Sequence, residues 1–142
     1  VALVGFEAGA AALQDWLEAE GTSVGAAVAF YGASASPRLG MHAPLLAFVG
    51  DRDPWFTEPR RTELRSALEA ADNGSRLETF VGAERGFFEP AFVTDHRKER
   101  PPVRLAEDPG HFDLRLSRSY HPVASRDAWD LTIKFLGEHL GG

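Results

Sequence analysis

Four short apolar runs separated by stretches of helical spacing constrain this chain more than any other feature. Residues 1–4, 26–31, 45–49 and 77–81 are each of strand length, and each stops beside a glycine: Gly5, Gly32, Gly50 and Gly82. Residues 8–20 read as a helix that ends at Gly21. Residues 58–71 carry apolar side chains at Leu64, Ala67, Leu68 and Ala71 before Asn73 and Gly74 stop the pattern. From about residue 123 to 140, Ala128, Trp129, Leu131, Thr132, Phe135 and Leu136 fall largely on one stripe. Runs that lack polar alternation are buried on both faces, and strands alternating with helices build a mainly parallel sheet flanked by helices, an α/β fold.

With 142 residues, 44% of them hydrophobic, the chain can bury one core, so a single domain over residues 1–142 is expected. Fifteen basic against 21 acidic side chains give a net charge of −6 without a cluster of Lys and Arg, which argues against nucleic acid as a partner. No apolar stretch reaches the length of a membrane span, so no membrane association is expected and a cytoplasmic location is the reading. There is no cysteine, which removes thiolate catalysis and Cys-bound metal, and the histidines lack ligand spacing; neither a metal nor a cofactor is expected. The chain opens directly on the apolar run 1–4, whose exposed edge would invite pairing with another strand.

Residues 90–121 break the alternation. Pro101-Pro102, Pro109-Gly110 and the mixed charges of residues 95–100 sustain neither period, so the segment reads as a long excursion loop.

The segment Gly5-Phe6-Glu7-Ala8-Gly9 follows a strand and opens a helix, the layout of a nucleophile elbow. Glycines on either side permit a sharp turn and a close helix. The middle side chain, Glu7, then projects from the sheet, and the backbone N–H of Ala8 points where an oxyanion would develop. Further landmarks follow in order: residues 27–32 (AVAFYG), 43–46 (APLL), 50–54 (GDRDP), 82–88 (GAERGFF) and 127–129 (DAW). In this order they resemble the C-terminal half of the dienelactone hydrolase family of α/β-hydrolases, over nearly the whole chain apart from the excursion loop.

The resemblance implies a partial α/β-hydrolase fold with the family's N-terminal half absent. It also implies three triad positions: the nucleophile falls on Glu7, the base-orienting Asp on Asp53, and the His on Arg85. Of the three, only the Asp is kept. A guanidinium stays protonated and cannot serve as the general base, so hydrolysis by the family's mechanism is not expected. A carboxylate and a guanidinium at these two positions would instead form an ion network with Asp53. The expected role is non-hydrolytic, binding or structural. The alternative is a hydrolase of small esters or lactones that uses Glu7 with a histidine of the loop, His111 or His121.

Trp55, Phe56, Phe87 and Phe88 flank the triad positions and are candidates for the rim of a small-molecule pocket, with core packing as the competing reading. His42 and His139 read as surface residues, and Arg60 and Arg61 carry no assigned role. Strand 1–4 is a candidate to pair with a second copy of the chain or with the absent N-terminal segment.

Overall fold

The structure, a computed structural model, describes residues 1–20, 23–32, 41–88 and 120–141. Most of the excursion loop, with His96 and His111, lies outside them. Four strands, β1 (Ala2–Phe6), β2 (Ala26–Phe30), β3 (Leu45–Gly50) and β4 (Arg76–Phe80), form one parallel sheet in the order β1-β2-β3-β4. The register pairs Val4 with Val28, Val28 with Leu46, and Phe48 with Glu78. Among the described residues three helices flank it: α1 (Ala8–Glu20), α2 (Glu58–Ala70) and α3 (Pro122–Leu140).

The two-residue period of the strands divides the core. Ala27, Ala29, Leu45, Ala47 and Val49 face α1 and α2, meeting Leu13, Leu17, Leu64 and Leu68. On the other face Val28, Phe30, Leu46 and Phe48 meet Phe87 and the α3 residues Ala124, Ala128 and Phe135. β2 and β3 are covered on both faces and along both edges, so every one of their residues is buried. Each fully buried Phe or Leu contributes about 1.5–3 kcal/mol by leaving water.

β1 is different. It is an edge strand of the described sheet, with Val4 43% and Phe6 37% exposed.

Local chemistry sets the helix limits. Pro59 stands in the first turn of α2, where a missing N–H costs nothing, with Glu58 beside it for the helix dipole. Asn73 and Ser75 tie the turn after α2 to the start of β3: the Asn73 amide donates to the carbonyls of Met41 and Ala43, and the Ser75 hydroxyl accepts from Leu45 N–H. His121 caps α3, its Nδ1 accepting from Ala124 N–H at 3.2 Å. Among the described residues no helix is long and apolar enough to cross a membrane.

Candidate functional site

The turn between β1 and α1 holds Glu7 at φ 54°, in the left-handed region that side chains other than glycine rarely adopt. Glu7 N–H donates to Phe30 carbonyl, and Glu7 carbonyl accepts from Ala10 and Ala11, so the conformation is fixed from both neighbouring elements. Gly5 is the glycine this geometry requires: a Cβ there would lie 2.7 Å from Gly9 carbonyl oxygen and 2.8 Å from Ala10 Cα. Gly9, the second glycine of the sequence pattern, faces open space. The second close approach is instead at Gly32, where a Cβ would collide with the Glu7 carbonyl oxygen.

The fold brings Glu7, Asp53 and Arg85, the residues singled out by the resemblance, together from the ends of three strands. Arg85 Nε lies 3.2 and 3.1 Å from the two carboxylate oxygens of Glu7, and Nη2 lies 2.9 Å from Oε2. Arg85 Nη1 is 3.9 Å from Asp53 Oδ2. The Trp55 ring covers the guanidinium, with Arg85 Cζ 5.5 Å from the ring centre. Asp53 is 2% exposed. Its Oδ1 accepts from Trp55 N–H at 2.8 Å, while Oδ2 has no hydrogen-bond partner. Burial pushes the Asp53 carboxyl above its usual range and Glu7 adds to the rise; the Trp55 N–H, Arg85 and Arg60 pull in the opposite direction without cancelling it.

Above this network lies a cleft of about 210 Å³ lined by Glu7, Ala8, Trp55, Phe56, Arg60 and Arg85, together with Ala11 and Gly32. Trp55 and Phe56 therefore stand where a pocket wall was expected. Phe87 and Phe88 do not line it. After Gly86, at φ 80°, the chain turns onto the α3 face, where Phe87 is fully buried against Tyr31 and Phe80 and Phe88 packs on Phe6 and Phe30. His121, as the cap of α3, has its Nδ1 engaged away from Glu7, and among the described residues no imidazole hydrogen-bonds Glu7.

Two arginines without a role in the sequence reading acquire one here. Arg61 is buried and donates to the carbonyls of Asp51 and Phe56, bracing the loop that carries Asp53. Arg60 donates to Trp55 carbonyl at 2.8 Å and lies over the Phe56 ring, and among the described residues no carboxylate stands within 4 Å of it. Both stand in the first turn of α2 and reach back to the loop that precedes it.

An elbow at the end of a parallel strand, with an acid and a third group converging on it from later strand ends, defines a protein of the α/β-hydrolase class. The dienelactone hydrolase family model matches residues 1–140, and the chain belongs to that family. It is 27% identical over 100 residues to a protein of Bradyrhizobium sp. named a probable 2-oxo-3-(5-oxofuran-2-ylidene)propanoate lactonase, a match covering 70% of this chain and 30% of that protein. Its structure resembles that of a dienelactone hydrolase-like promiscuous phosphotriesterase, P91, from metagenomic libraries, with a TM-score of 0.69 at 17% identity over 98% of this chain and 52% of that one. MGS-M1, an α/β-hydrolase enzyme from a Medee basin deep-sea metagenome, gives 0.66 at 13% identity over 99% of this chain and 55% of that one. The chain thus spans about half the length of these solved relatives.

Proposed function

We propose that this chain is a dienelactone-hydrolase-family domain with a degenerate triad, in which Glu7, Arg85 and Asp53 form an ion network and the cleft above them binds a small ligand without hydrolysing it. The observation that carries this reading is the two-oxygen engagement of Glu7 by Arg85, which occupies the nucleophile position with a charge pair and puts a permanent cation where a base is required. The cleft supports a ligand class as well. Arg60 offers a cation with no carboxylate within 4 Å among the described residues, and Trp55 offers a flat apolar wall 60% exposed, which together suit a small carboxylate with a planar body.

The test is twofold. With p-nitrophenyl acetate and a small unsaturated lactone, turnover is expected at the level of buffer alone and unchanged by Glu7→Gln. In a chain keeping Trp55 as its sole tryptophan, benzoate is expected to change the fluorescence saturably, neutral benzamide is not, and Arg60→Gln should weaken the benzoate response at least fivefold. Equal responses to the acid and the amide would remove the carboxylate assignment.

The alternative, a hydrolase of small esters or lactones built on Glu7, draws on the elbow geometry, on the Ala8 N–H beside Glu7 as an oxyanion donor, and on the lactonase named among the relatives. It requires turnover that Glu7→Gln abolishes and that a histidine substitution, at His111 or His121, reduces.

A further inference from the structure

Among the described residues that line the cleft, three side chains are charged, Glu7, Arg60 and Arg85, and they are not equally available to a ligand. Arg85 is taken. The Glu7 carboxylate lies on its Nε and Nη2, at 3.1 and 2.9 Å, the guanidinium edge that grips a planar carboxylate in two-point recognition. The remaining nitrogen, Nη1, is turned to Asp53 Oδ2 at 3.9 Å. Glu7 thus stands where the carboxylate of a ligand would stand, and its charge cancels that of Arg85. Arg60 donates instead to a neutral group, the Trp55 carbonyl, and among the described residues no carboxylate lies within 4 Å of it. One carboxylate against two guanidiniums leaves the lining with a single positive charge, and that charge is on Arg60.

The two guanidiniums stand at opposite ends of one residue. Arg60 holds the backbone of Trp55, and Arg85 lies by its ring, with Cζ 5.5 Å from the ring centre. A planar ligand laid along Trp55 with its carboxylate on Arg60 turns its far end to the Glu7–Arg85 pair. A neutral far end meets a neutral pair. A second carboxylate there meets Glu7, whose side chain is 25% exposed, while the receiving edge of Arg85 is already filled. Like charges brought together in a partly desolvated site cost affinity steeply. At about 210 Å³ the cleft is also smaller than the roughly 300–1,000 Å³ of drug-sized sites, so one ring with short substituents is what it accommodates.

We propose that Glu7 is a built-in competitor carboxylate that restricts the cleft to monoanions: ligands with one carboxylate on a planar body bind, and those with a second carboxylate at the far end are rejected. The inference rests on the function proposed above and adds the residue that sets ligand charge. Removing the Glu7 charge frees the Arg85 edge and raises the charge of the lining to two, which converts the preference from monoanion to dianion.

Three acids built on one ring decide it: benzoate, 4-carbamoylbenzoate and terephthalate. Their Kd is read from Trp55 fluorescence, in the chain keeping it as sole tryptophan, at neutral pH and low ionic strength. The last two acids share a shape and differ by one negative charge. The wild-type cleft is expected to bind 4-carbamoylbenzoate at least tenfold more tightly than terephthalate, a comparison that needs no change at Glu7. Glu7→Gln should reverse the order, and Glu7→Asp, which keeps the charge, should retain it. Added salt should shrink the wild-type discrimination. Equal affinity for the two matched acids in the wild-type cleft, or an order that Glu7→Gln leaves in place, would overturn the proposal, while benzoate binding would still uphold the carboxylate site. So would binding of benzoate alone, since a ligand on Arg60 would then not reach Glu7. Silence toward all three acids, with and without Glu7→Gln, would remove the carboxylate site itself and this inference with it.

Discussion

Arg85 and Glu7 are neither a surface pair nor a sealed one, their side chains being 16 and 25% exposed. Exposed pairs contribute about 0.2–1 kcal/mol, and breaking a buried one costs about 3–5 kcal/mol, so a double-mutant cycle with Glu7→Gln and Arg85→Gln should give a coupling of about 1–2 kcal/mol by urea denaturation. Asp53 sets a pH dependence of definite sign. A carboxyl whose pKa is higher folded than unfolded holds its proton more tightly in the native state, so ionisation above that range costs stability. The penalty is absent below the ordinary carboxylate range, grows as pH rises through the window up to the raised value, and is constant beyond it. Asp53→Asn should remove this dependence: relative to the variant, the wild-type urea midpoint should fall across that window. A flat difference between the two would show that Asp53 titrates normally. Glu7 was legible in the sequence from the G-x-E-x-G turn after an apolar run, and Asp53 and Arg85 from the resemblance to the dienelactone hydrolase family. Their mutual distances were not, since they are 46 and 32 residues apart along the chain and only the sheet order makes them neighbours.

Among the elements, the elbow shows where a sequence pattern and its physical cause part company. Gly5 and Gly9 look equivalent in the sequence, yet only Gly5 is crowded by the opposing backbone. Gly5→Ala should therefore cost about 1–3 kcal/mol through overpacking, whereas Gly9→Ala, in the first turn of α1 with open space around it, should be neutral or stabilising by up to about 1 kcal/mol. Thermal denaturation of the two variants side by side checks this contrast. The strands lie within two residues of where apolar runs put them, and the helices within one, because burial on both faces leaves no polar alternation to blur the limits of β2 and β3. What periodicity missed is the reach of two first-turn side chains of α2 back to the loop before it, which puts Arg60 on the cleft and Arg61 against the loop of Asp53.

For the molecule as a whole, protection should follow cover. Amides of β2 and β3, sandwiched between α1 and α2 on one face and α3 on the other, should exchange slowest in the chain by itself, and those of Ala2, Val4 and Phe6, on the outer edge of β1 in the described sheet, should exchange faster. Uniform protection across the four strands would mean that β1 is covered. The amino-acid sequence by itself determined the alternating α/β order, the parallel sheet and the sharp turn at Glu7, because each is written in local spacing: a period of two or none, a period near 3.6, and glycine where the backbone must turn or approach. Only the tertiary structure decided that Arg85 engages both carboxylate oxygens of Glu7, that Phe87 and Phe88 leave the cleft for the α3 core, and that Gly32 rather than Gly9 is the second tight contact. Those outcomes depend on distances between segments far apart in the chain, and such distances are fixed by how the two faces of the sheet share out the apolar side chains.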